Sequence, residues 1–202
     1  MTNTRADVAG RVKNAVENEA ESKTPLSSGV FRQKCLKHLA NRRVSAFVMT
    51  QARSSLTIQR ASRLPNIPGD RTLRKWLRAA LSKLTPVATS FEITLRIVNA
   101  AEGRNLNSAF RGKDYATNVL TFVYHEPRAA RLLGDLVLCA PVISLEAKMQ
   151  SKTLSAHYAH LCVHGVLHLA GHDHESNGQA KRMEALEVTI LAELGIDDPY
   201  RE

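Results

Sequence analysis

Aromatic residues make up only 5% of this 202-residue chain, and it has three cysteines. Cys35, Cys139 and Cys162 are odd in number, widely spaced and without a CxxC pair, which excludes a disulfide framework and a cysteine-rich zinc finger. A reducing, cytoplasmic setting is expected. No apolar run approaches the roughly 20 residues that span a bilayer, and the polar first 21 residues have no apolar stretch of the secretory type, so no membrane association or Sec export is expected. Apolar residues at 44% are too many for a chain disordered throughout, and the length suits one globular domain with a sizeable core.

Negative charge is also missing where it would be most ordinary. Residues 22–69 contain no Asp or Glu, while Lys23, Arg32, Lys34, Lys37, Arg42, Arg43, Arg53, Arg60 and Arg63 fall among serines and threonines. Residues 1–48 carry 9 basic and 4 acidic groups, so just over half of the net +9 sits in the first quarter of the chain. That quarter shows no sustained hydrophobic period. Residues 1–53 are therefore expected to form a poorly ordered basic extension and residues 54–202 the folded domain. A net positive charge suits an anionic partner such as RNA, although charge alone speaks to association and not to chemistry.

After Arg53 the pattern becomes regular. Residues 56–59 suggest a strand, followed by a loop punctuated by Pro65, Pro68 and Gly69. Asp70 is a candidate N-cap, and Leu73, Trp76, Leu77, Ala80, Leu81 and Leu84 recur at helical spacing until Pro86. Phe91, Ile93, Leu95 and Ile97 alternate with polar residues, the period of a half-buried strand. Asn99 can cap a helix to about residue 110, residues 118–124 and 135–139 read as two further strands, and Pro141 suits the start of another helix. Strands and helices alternate without an internal repeat, which predicts an α/β (α+β) domain with a small sheet of about four strands packed by helices.

Six of the eight histidines fall between Ser155 and Glu175. Residues 154–170 read as a helix that Gly171 can end. On it His164 and His168 are four apart, so their imidazoles project from one face a turn apart, as two ligands of one tetrahedral ion require. Gly171 can turn the chain so that His174 supplies a third ligand. Three neutral imidazoles with an open fourth position are the arrangement of catalytic zinc, so one Zn²⁺ per chain is expected at the end of this long helix. His160, one turn earlier, suits a supporting or surface group better than a ligand, and His157 is expected to be exposed. His172 and Asp173 could each orient a ligand, donate a proton or close a structural site.

His164, His168, Gly171 and His174 match the spacing HExxHxxGxxH of metzincin proteases. Where those enzymes carry the glutamate that activates water, this chain has Gly165. The ligand spacing of a peptidase is present and its general base is not.

The string HGVLHLAGHDH over 164–174 closely resembles the signature of the YbeY family of bacterial single-strand-specific endoribonucleases, also called ribosomal RNA maturation factors. Residues 106–122, LNSAFRGKDYATNVLTF, resemble the family's central motif, and residues 134–141, GDLVLCAP, its next strand. The resemblance covers about residues 56–194. It implies His164, His168 and His174 as zinc ligands, Arg111 as the phosphate-side catalytic residue, and single-stranded RNA, ribosomal RNA and ribosomal subunits as partners, without DNA specificity. A guanidinium suits that role because its charge is permanent and its fork fits a phosphodiester bidentately. The implied activity is a zinc-dependent endoribonuclease of ribosomal RNA maturation. Two other classes fit the zinc spacing: a zinc peptidase-like hydrolase, which Gly165 disfavours, and a non-catalytic ribosome-assembly factor with structural zinc.

A chain beginning at Met49 tests the boundary. It is expected to keep its metal and its cooperative thermal unfolding, and to bind RNA more weakly only at low salt, because the lost net charge of +5 contributes non-specific phosphate contacts. An insoluble or metal-free product would place part of 1–48 in the domain.

Overall fold

A computed structural model describes residues 54–84, 90–125, 130–172 and 176–201. The basic extension expected over 1–53 lies outside the described residues. Among those residues nine elements occur in chain order: β1 (Ser55–Arg60), α1 (Asp70–Ser82), β2 (Ser90–Val98), α2 (Ala100–Arg111), β3 (Val119–Val123), β4 (Arg131–Cys139), α3 (Ala140–Met149), α4 (Leu154–Leu169) and α5 (Asn177–Glu193). The strands form one open sheet in the order β1-β2-β4-β3. The first three are parallel, which the intervening helical crossovers permit, and β3 runs antiparallel to β4 at the edge.

Strand β4 is buried on both faces, and its alternation divides the core. Leu132, Leu136 and Leu138 face the larger core with α1, α4 and α5. Val137 and Cys139 face a smaller core with Ala100, Leu106, Leu120 and Val142. Helices α2 and α4 therefore lie on opposite sides of the sheet. The strand is longer than the expected 135–139 because residues from Arg131 onward pair with β2, Ser90↔Arg131 through Val98↔Cys139. Arg131 also reaches Glu92 at 2.7 Å.

The helix ends follow local chemistry. Asp70 is not the N-cap of α1: Gly69 holds that place, and Asp70 is the first helical residue, where its carboxylate favours the positive end of the helix and pairs with Arg60 at 2.7 Å. Asn99 caps α2 by accepting from the Glu102 N–H at 2.9 Å, and Gly112 ends it at φ +67°. Thr153 caps α4 through the Ala156 N–H at 3.1 Å, while Gly171 turns the chain away at φ +84°. The sequence expectations contain no counterpart of α5, which opens with a capping box of Ser176 and Gln179.

Two glycines let α4 lie close against the sheet. A Cβ on Gly134 would meet Leu169 Cδ2 and the backbone oxygen of Phe122, each at 2.4 Å, and one on Gly165 would meet Leu136 Cδ1 at 2.1 Å. Cys139 and Cys162 are free thiols, both buried; burial pushes Cys139 up to about 12 and Cys162 up as well, outside the reactive range. Among the described residues no helix is long and apolar enough to cross a membrane.

The seating of α4 on β4 has a direct test. Gly134→Ala is expected to cost on the order of 3 kcal/mol, because the added methyl meets a backbone carbonyl that cannot rotate away. Thermal unfolding of the variant beside the parent measures it, and an unchanged midpoint would show that the strand can shift at no cost.

Candidate metal centre

Helix α4 is apolar on nearly every side, with Leu161, Val163, Val166, Leu167 and Leu169 buried. Its polar groups are concentrated in one stripe. His157, His160, His164 and His168 come at intervals of three and four, so they stack along one line of the helix. Successive ring centroids are 6.4, 6.1 and 4.5 Å apart, with His164 and His168 the closest pair, edge to face.

The stripe meets a carboxylate from α5. Glu187 is fully buried, with Oε1 2.8 Å from His164 Nδ1 and Oε2 3.1 Å from His160 Nε2. The Tyr200 hydroxyl also donates to Oε2. Burial by itself would raise the Glu187 carboxyl, but the hydrogen bonds from His160 and His164 outweigh it and hold the group down at about 2. Burial pushes His160 the other way, below the usual imidazole range, against the opposing pull of Glu187. An ionised carboxylate only accepts, so the facing nitrogens of both imidazoles carry the hydrogen. His160 Nδ1, buried, has no hydrogen-bond partner among the described residues.

Coordinating atoms of His160, His164 and Glu187 all lie within 4.8 Å of one another. Two imidazoles and a carboxylate are donors of the kind a divalent transition ion takes, but here the facing nitrogens carry hydrogen and donate to Glu187, so the three groups are hydrogen-bonded to one another, with the His168 ring beside His164. Of the expected ligands, His164 and His168 are brought together, both half-buried, whereas His174 lies outside the described residues, as does Asp173. His172 is half-buried after the turn, its backbone N–H donating to the Leu167 carbonyl at 3.0 Å.

His157 is not exposed as expected: only 3% of it is accessible, and its Nε2 lies 2.8 Å from Glu146 Oε2. Glu146 also accepts from Asn118 Nδ2 at 3.0 and 3.2 Å, so this cluster ties the start of β3 to α3 and α4. This histidine is buried where α4 meets Glu146 of α3, a placement that helical spacing alone does not reveal.

Glu187 is the functional candidate that the sequence reading missed. Its signal was present: Met183, Glu187, Ile190 and Leu191 are the buried stripe of α5, and a carboxylate within an apolar stripe needs a partner.

Arg111 is the last residue of α2, exposed, on the other side of the sheet from α4. Its neighbour Phe110 packs edge-on against Phe122 of the edge strand, with centroids 4.9 Å apart. The Phe122 carbonyl and Leu169, which follows His168, both crowd the backbone at Gly134.

Residues 58–195 match the family model described as Endoribonuclease YbeY. The chain belongs to the YbeY family. It is 56% identical over 145 residues to the endoribonuclease YbeY of Nitrosomonas eutropha, covering 72% of this chain and 97% of that one. It is 52% identical to that of Aromatoleum aromaticum, over 74% and 94% of the two chains. A solution structure from Thermotoga maritima aligns with a TM-score of 0.45 at 22% identity, over 73% of this chain and all of that one.

The place of the missing peptidase glutamate has a structural explanation within this YbeY family member. Gly165 is on the buried side of α4, against Leu136, where no side chain fits. Gly165→Glu is therefore expected to unfold the domain or lower its thermal midpoint sharply, without creating peptidase activity. A folded variant that hydrolyses peptides would refute this.

Proposed function

We propose that this protein is a zinc-dependent, single-strand-specific endoribonuclease of ribosomal RNA maturation. It acts in the cytoplasm on ribosomal RNA and ribosomal subunits, at the 3′ end of the small-subunit RNA and in ribosome quality control. The observation that carries the reading is the pair His164 and His168, rings 4.5 Å apart on a buried helix, in a chain that matches the endoribonuclease family over residues 58–195. The basic balance of the chain supports an RNA substrate.

His164, His168 and His174 are the proposed ligands. They are neutral nitrogen donors, which suit zinc and leave a coordination position for solvent or substrate. A bound zinc ion supplies Lewis acidity toward a phosphoryl oxygen or a water. Arg111 binds the scissile phosphate: its exposed position at the end of α2 leaves the guanidinium accessible to a polyanion, and its fork stabilises the charge that grows on the phosphoryl oxygens. The attacking oxygen is either a water or the RNA's own 2′-hydroxyl. These leave different ends, since attack by the 2′-hydroxyl closes a 2′,3′-cyclic phosphate.

The test uses purified protein with defined single-stranded and duplex RNA, with and without chelator. Single strands are cut, duplex is spared and chelator stops cleavage, while His164→Ala and His168→Ala lose zinc and activity together. Arg111→Lys is expected to keep zinc and stability but cut about 100-fold more slowly, because lysine preserves the charge and not the fork. Cleavage by Arg111→Lys at the parent's rate would remove Arg111 from the chemistry, and cleavage persisting in His164→Ala would mark a contaminating nuclease.

A further inference from the structure

We infer that Glu187 is a positioning residue that selects the metal-facing nitrogen of His164: its buried carboxylate takes the Nδ1 hydrogen and leaves the lone pair on Nε2. The inference rests on the proposal that His164 is a ligand. A neutral imidazole carries one hydrogen on either nitrogen, and a metal can take only the other. With Nδ1 2.8 Å from an acceptor-only oxygen, the hydrogen stays there and Nε2 becomes the coordinating atom.

The carboxylate is itself held in place. Its second oxygen is fixed by His160 Nε2 at 3.1 Å and by the Tyr200 hydroxyl. Tyr200 is delivered by a stapled tail: its N–H donates to Asp198 at 2.9 Å, and Lys152, in the turn before α4, donates to the Pro199 carbonyl at 2.6 Å. Groups from α4 and the C-terminal segment thus converge on the fully buried carboxylate of α5. His160 donates its Nε2 hydrogen to the same carboxylate and so helps to hold it in place. A buried anion also strengthens the imidazole that donates to it as a ligand.

Glu187→Gln tests this in the full-length protein. A glutamine offers one accepting oxygen and one donating nitrogen, so it cannot accept from both imidazoles at once. Zinc affinity, read by competition with a chelator, is expected to fall 10- to 100-fold while the variant stays folded. Nitrogen-15 spectra of the metal-free parent should show the His164 hydrogen on Nδ1, and in metal-free Glu187→Gln the two tautomers should be mixed. Tyr200→Phe should keep the His164 hydrogen on Nδ1 and lose less affinity than Glu187→Gln.

Should the parent carry that hydrogen on Nε2, the inference fails, whether or not the glutamine variant folds. It also fails if Glu187→Gln binds zinc as the parent does while His168→Ala does not, a result that leaves the ligand proposal standing. If His168→Ala binds zinc normally while Glu187→Gln and His160→Ala abolish binding, Glu187 is itself a ligand and both readings fall.

Discussion

Helix α4 is pressed against the sheet so closely that a side chain cannot be added at Gly165, and this contact constrains most of what surrounds it. A helix buried on that many sides excludes water from its length, so each polar group along it must find a protein partner or cost several kcal/mol. His157, His160 and His164 are such groups. Their partners come from outside the helix: Glu146 from α3 for His157, and Glu187 from α5 for His160 and His164. Seating the helix and supplying the carboxylates are one requirement, because a closely packed α4 with unpartnered imidazoles would not be stable.

The two carboxylate clusters share their chemistry and differ in what they fasten. Glu146 joins His157 to Asn118 and so anchors the beginning of the edge strand. Glu187 joins His160 and His164 to Tyr200, which brings the end of the described chain against the middle of α4. The first secures the framework. The second lies directly beside the His164–His168 pair, so order in the C-terminal segment is coupled to the geometry of the candidate metal centre.

The alternation of β4 has a second consequence: it keeps α2 and α4 on opposite faces of the sheet, and Phe110, beside Arg111 at the end of α2, meets the edge strand at Phe122.

The alternation of residues 91–97, the caps at Asn99 and the turn at Gly171 were legible in the sequence because each depends on residues within one or two turns of the chain. So was the pairing of His164 with His168, a result of the helical period alone. Other features depended on packing between distant segments, which local spacing does not encode. The burial of His157 needed α3, the exclusion of a side chain at Gly165 needed Leu136 from β4, and the grip of Glu187 on two imidazoles needed α5 folded back across α4. Helical periodicity determined which histidines share a face; only the tertiary structure decided which carboxylate each one meets, because that depends on contacts between residues 11 to 27 apart in the chain.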